Sequence, residues 1–167
     1  DGLAEWMARN GYTYATFRAA LFRQLAAAWQ RDQIAAAVPE AAEQIQARQI
    51  LTLTEEAANR ALEQVRLPGV NFAAQAYLYD PLTGGDLGWF PRGYLTQPAV
   101  EEAAFQLQPG EISPVIHSEI GYHIVQVISR EPSRPLSPDA RRVLVRRAVH
   151  EWLEARRKAS KIEVVVE

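Results

Sequence analysis

Gly84-Gly85-Asp86-Leu87-Gly88-Trp89-Phe90 is the stretch on which the reading of this chain turns. Three glycines beside a bulky apolar pair predict tight turns, with φ values closed to other residues, leading into a buried strand. A glycine-rich run also raises the thought of a phosphate cradle. The spacing is not G-x-G-x-x-G, no Lys-Ser/Thr pair follows, and no helix opens directly after it, so a nucleotide loop is set aside. Working outward, Ala47 to Leu53 is strand-like, and Thr54 caps a short helix running to about Val65. A second helix spans roughly Asn71 to Tyr79, and a third Ala99 to Gln106. Pro109-Gly110 turns the chain into strands near Val115 and over Gly121 to Ser129. The order β-α-α-β-α-β-β predicts a small α+β domain with a mixed four-stranded sheet and surrounding helices.

The flanks have a different character. Nine of the ten prolines lie after position 67, and seven of the nine glycines fall between Gly69 and Gly121. Residues 1–50 hold fourteen alanines, which favour helix. Thr13 is placed to cap a long helix from Tyr14 to Ala37, with Phe17, Leu21, Leu25 and Trp29 on one stripe and Pro39 at its end. Glu131-Pro132-Ser133-Arg134-Pro135 reads as a linker, after which Ser137-Pro138 opens another helix. Ile162 to Val166 has strand composition. Neither terminal piece buries its stripe alone, which predicts one helical domain built from both chain ends, 1–45 plus 132–167, around an inserted domain at 46–131. Trp6, Phe17, Phe22, Trp29 and Trp152 are the expected helical core, with an apolar groove for unfolded segments as the alternative.

Composition narrows the function classes. The chain has 167 residues, is 48% hydrophobic and 23% charged, and carries a net charge of −2. That balance is globular and gives no electrostatic reason to expect nucleic-acid binding. It contains no cysteine, which excludes disulfides, thiolate catalysis and Cys-based zinc sites. His117, His123 and His150 share no metal-ligand spacing, so no metal or cofactor is expected. No apolar run approaches the roughly 20 residues that span a bilayer. The abrupt start at Asp1-Gly2-Leu3 points to a trimmed chain, and a membrane is expected only through an anchor outside it.

The residues resemble the parvulin family of peptidyl-prolyl isomerases. Asn71-Phe72-Ala73-Ala74, Gly84 to Phe90, Pro91-Arg92-Gly93, Glu101-Glu102-Ala103-Ala104-Phe105, Pro109 to Val115 and Gly121-Tyr122-His123-Ile124-Val125 carry the resemblance in uninterrupted order over about residues 46–130. The helical flanks are similar in pattern to extracytoplasmic bacterial foldases of the PrsA and SurA type. The resemblance implies rotation about X-Pro amides without a cofactor, clients that are unfolded or partly folded polypeptides, a location outside the cytoplasm, and compatibility with a homodimer.

That resemblance assigns site residues position by position. Leu87 and Leu95 match the apolar wall of a proline pocket, with Val100, Phe105 and Ile120 completing the substrate-binding set. His123 matches the histidine beneath the substrate amide, Ser118 the hydroxyl that supports it, and Asp80 a polar position that is Asp or Cys in the family. Three positions depart from the family pattern, Gln49 and Val100 being the two that bear on activity. Arg48-Gln49-Ile50-Leu51 replaces R-H-I-L, so Gln49 stands for a histidine. Val100 stands for a bulky Phe, and Ile120 where an aromatic is common. Gln still donates and accepts hydrogen bonds but does not titrate. Val removes contact area, and a buried Phe is worth about 1.5–3 kcal/mol. Reduced or absent isomerase activity on an intact scaffold is the expectation, with a client-holding chaperone as the competing reading.

Overall fold

The computed structural model describes residues 2–161; the strand expected over Ile162 to Val166 lies outside the described residues. The elements run α1 (Gly2–Arg9), α2 (Tyr14–Ala37), β1 (Ala41–Thr52), α3 (Glu55–Val65), α4 (Phe72–Tyr79), β2 (Asp86–Pro91), α5 (Pro98–Gln106), β3 (Ile116–Ser118), β4 (Gly121–Pro135) and α6 (Pro138–Ala159). The chain divides into two compact units, one of Glu40–Leu144 and one made from the chain through Pro39 together with the part from Val145 on.

The Glu40–Leu144 unit is built on a sheet of order β2-β1-β4-β3. Every described pairing is antiparallel, which corrects the expected mixed sheet. The reason is the even number of helices between β1 and β2: α3 and α4 carry the chain away and back, so β2 starts from the end β1 left. Thr54 and Asn71 cap these helices, accepting from the backbone N–H of Ala57 and Ala74 at 3.2 Å each.

Two apolar layers cover the sheet, sorted by the alternation of β1 and β4. On one face Ile45, Ala47, Val125 and Val127 pack with Phe90 and with Val100, Ala104 and Phe105 of α5. On the other, Ile50 and its cross-strand partner Ile124 pack against Ala61 and Val65 of α3 and Phe72 and Ala76 of α4. The expected linker at Glu131–Pro135 is instead the last third of β4. Gln44 pairs with Glu131 and Ala42 with Arg134, so a bulge absorbs Pro132 and Ser133, and Pro135 falls at the strand end. Gln44, 2% exposed, donates its amide to the carbonyls of Arg134 and Pro135 at 2.9 and 3.1 Å.

In the other unit, α2 spans the expected residues, with a capping box between Thr13 and Thr16. The expected helical core does not form among the described residues. No residue of α2 is buried, and Phe22 and Trp29 are 72% and 62% exposed. A local aromatic cluster exists where α1 turns into α2, with Trp6, Tyr12 and Phe17 ring centroids about 6 Å apart. Leu21 and Leu25 of the expected stripe are exposed as well, and periodicity does not say what covers a stripe. No described helix is long and apolar enough to cross a membrane.

Candidate functional site

The front face of the sheet, the α5 side, holds a cavity of about 100 Å³ lined by Gln49, Leu87, Leu95, Thr96, Gln97, Val100, Ile120 and His123. It holds about three water volumes, the scale of one pyrrolidine ring. Its walls are apolar and its floor is polar. Gln49 of β1 and His123 of β4 sit diagonally across the pair, since Gln49 opposes Val125 and Leu51 opposes His123. That spacing lets the longer side chain reach its neighbour. His123 Nδ1 lies 2.9 Å from Gln49 Oε1, and Nε2 lies 2.7 Å from Ser118 Oγ.

The chemistry of these atoms assigns the protons. An amide oxygen only accepts, so Nδ1 carries the hydrogen and donates it to Gln49. Nε2 then accepts from the Ser118 hydroxyl, which itself accepts the Ile120 N–H at 3.2 Å. His123 is 1% exposed, and burial pushes its pKa below the ordinary 6.5. The imidazole is thus neutral at pH 7, and the floor beneath a bound amide bears no net charge.

The backbone sets these side chains with little slack. Gly85 lies at φ +67°, and a Cβ there would sit 1.9 Å from the Gln49 carbonyl oxygen. Gly85 O also accepts the Gln49 N–H at 2.8 Å, so the turn before β2 fixes Gln49 in place. Between Ala47 and Arg48 the β1–β2 register shifts, leaving Leu87 as the extra residue. Such a bulge re-aims a side chain, here into the cavity.

Leu95 is held by a group the sequence reading passed over as a site residue. Glu101 on α5 is 9% exposed, and its carboxylate accepts three backbone N–H bonds. These come from Gly93 at 2.6 Å and from Tyr94 and Leu95 at 2.9 Å each. The only sequence signal was an acidic residue inside the first turns of a helix that follows a Gly-containing loop. Thr96 and Gln97 join the cavity lining without having been anticipated.

Two assigned residues stand elsewhere. Phe105 does not line the cavity; it is buried beneath it, edge-on to Phe90 with a centroid separation of 6.0 Å. The Arg92 guanidinium lies 4.2 Å from the centre of its ring. The α5 periodicity turns Phe105 into the core layer while Val100 faces the cavity. Asp80 does not line it either. Its Oδ1 accepts the N–H groups of Leu82 and Thr83 at 3.0 and 3.1 Å, and its Oδ2 accepts the Thr83 hydroxyl. This Asx turn is the plain structural reading of Asp-Pro, and the Thr83 hydroxyl bond is the main cause that lowers the Asp80 pKa. Asp80 borders a neighbouring cavity of about 250 Å³ with Gln49, Leu51, Tyr79 and Gly85. Among the described residues no cluster of His, Asp and Glu could hold a metal.

This arrangement fits amide rotation, and the comparisons bear on the same segment. Residues 37–129 match the family model of the rotamase, or PPIC-type PPIase, domain. The chain belongs to the PPIC-type family. The Chaperone SurA of Dechloromonas aromatica is 38% identical over 125 residues, covering 68% of this chain and 28% of that protein. The Foldase protein PrsA of Caldanaerobacter subterraneus is 42% identical over 92 residues, covering 52% and 29%. This chain therefore spans less than a third of either relative's length. PrsA from Bacillus cereus shares the fold, with a TM-score of 0.65 at 24% identity over 100% of this chain and 71% of that one. The parvulin resemblance read from the motifs is borne out.

Within this PPIC-type domain, the buried histidine has a pH consequence. The folded pKa of His123 is lowered, so between the ordinary 6.5 and that lower value the unfolded chain binds a proton the folded chain refuses. Its contribution to stability is complete above about pH 6.5 and is lost as pH falls through the folded value. Urea midpoints should decline below pH 6.5 in the wild type. The decline should be shallower in His123→Gln, and equal slopes would contradict a buried neutral imidazole.

Proposed function

We propose that the chain catalyses cis–trans rotation of X-Pro amides in unfolded or partly folded polypeptides outside the cytoplasm, without a cofactor. The observation that carries this reading is the single cavity where Leu87, Leu95 and Val100 stand over the neutral His123–Gln49–Ser118 network. No bond breaks in this reaction. The barrier of about 18–20 kcal/mol is amide resonance. A pocket that holds the ring while the carbonyl turns, in surroundings that favour the less charge-separated twisted amide, lowers it. Each ~1.4 kcal/mol of differential binding is worth about tenfold in rate. In this proposal Leu87, Leu95, Val100 and Ile120 grip the ring. His123, Ser118 and Gln49 supply a fixed polar floor, and Asp80 shapes the loop beside Gln49. A protease-coupled assay on an X-Pro peptide series tests it: acceleration by the wild type that His123→Ala reduces supports the reading, and the rate of buffer alone overturns it.

The second reading is a client-holding chaperone whose isomerase site is weak. Gln49, Val100 and the exposed Phe22, Leu25 and Trp29 favour it. Here the two chain ends, read from sequence as 1–45 and 132–167, supply the holding domain, with α1, α2 and α6 as its described helices. An aggregation-suppression assay with an unfolded client decides it, since no protection at several-fold excess removes this reading. Val100→Phe adds apolar contact to the cavity wall. It should raise kcat/KM for a proline peptide by up to about tenfold, mainly through KM, since the added contact holds the ring in ground and transition state alike. Gln49→His combined with it restores both family residues, and an unchanged rate in the double variant would show that these positions do not limit the reaction.

A further inference from the structure

On the back face of the sheet, opposite the proline cavity, lies an open cleft of about 550 Å³ bordered by Gln46, Arg48, Asn71, Phe72, Gln126 and Ile128 among others. Alternation along β1 separates Gln46 and Arg48 from Ala47 and Gln49, and the β4 bulge opposite Gln46 and Ala47 places Ile128 at its edge. The cleft is open and mainly polar in lining, the form of a surface groove that meets a polar, extended segment.

Arg48 is the cation of that cleft. The side chain is half-buried, and its Nε is sealed from solvent with no hydrogen-bond partner among the described residues. Asp86 stands across from it in register, but Asp86 Oδ1 accepts the Gly88 N–H at 2.9 Å instead. Arg130 offers the contrast. Its Nε is also unpartnered, yet its terminal nitrogens donate to Glu43 and to the carbonyls of Phe105 and Leu107, the latter two at 2.8 and 2.7 Å. The terminal nitrogens of one guanidinium are bonded by the fold, and the other guanidinium stands beside an open cleft.

We propose that this cleft is a second polypeptide-binding site in which Arg48 takes a carboxylate. A guanidinium binds a carboxylate through two parallel N–H bonds, a geometry no neutral group matches. Gln46 and Gln126 present amides that donate to and accept from a peptide backbone, while Phe72 and Ile128 offer apolar wall. The carboxylate belongs either to an acidic side chain or to a chain terminus. Fluorescence anisotropy with three labelled, proline-free peptides of equal length tests this apart from the isomerase reading. One ends in a free carboxylate, one carries a central Glu and an amidated end, and one is neutral throughout. At least one carboxylate peptide should bind about tenfold more tightly than the neutral one, and the peptide that does so names the source. Arg48→Gln should erase the difference. Gln46→Glu should erase it too, by supplying the missing carboxylate from the protein while Arg48 stays in place. Equal binding of all three peptides, or an advantage that survives both substitutions, would overturn the proposal.

Discussion

Gly85→Ala should destabilise the Glu40–Leu144 unit by about 3–5 kcal/mol, combining a left-handed backbone with an overpacked contact. At φ +67° any side chain is strained, and the new Cβ would sit 1.9 Å from the Gln49 carbonyl oxygen. Backbone cannot swing aside as a side-chain tip can, so the turn or the β1 edge must move. Either movement takes Gln49 away from His123, and isomerase activity should fall with stability. Gly88→Ala is the matched control: φ is +63°, but nothing lies within 4 Å of the added Cβ. It should cost only the backbone term, about 1–2 kcal/mol. Urea unfolding of both variants makes the comparison, and equal losses would show that the approach to Gln49 is not what demands glycine.

Glu101→Ala is expected to have the second large effect. It removes the acceptor of three N–H groups in the loop that carries Leu95. Hydrogen bonds to charged groups contribute about 1.5–3 kcal/mol each. Water will replace part of that in a half-buried loop, leaving a net loss of about 3 kcal/mol. Because Glu101 acts through Leu95 and does not border the cavity, its substitution should raise KM for a proline peptide more than it lowers kcat. Glu101→Asp shortens the reach and Glu101→Gln removes the charge. Gln should rescue KM better than Asp if placement of the acceptor matters more than charge. A fall in kcat with KM unchanged would contradict the positioning role.

The site was legible where local motif and chemistry coincide. Leu87, Leu95, Val100, Ile120, Gln49 and His123 converge on one cavity because the G-G-D-L-G and G-Y-H segments place short-range features: a glycine turn, a bulge, a strand face. Phe105 and Asp80 were misplaced because a helix face and an Asx turn settle their direction, and a motif does not encode either. Glu101 was quoted in a motif, yet its function depends on backbone six to eight residues earlier being folded around it.

The fold shows the same division. Ala41-Ala42-Glu43-Gln44 has helix-favouring composition, yet it starts β1, because pairing with β4 and the buried Gln44 amide outweigh local propensity. Glu131–Pro135 looked like a linker because prolines usually break strands, and a bulge is what accommodates them. The α2 stripe is spaced at helical period, yet Leu21, Leu25 and Trp29 along it are exposed. Its cover is a long-range matter, and Phe22 and Trp29 remain open among the described residues.

The most direct test of the central claim is two-dimensional NMR exchange spectroscopy on a short X-Pro peptide with substoichiometric protein. The same sample reports both the cis–trans exchange rate and the protein amides that respond to the peptide. Exchange cross-peaks should build up faster than in buffer, with shifts concentrated at Gln49, Leu87, Leu95, Val100 and His123. Exchange at the uncatalysed rate, or shifts confined to other surfaces, would contradict a proline site over the His123–Gln49–Ser118 floor.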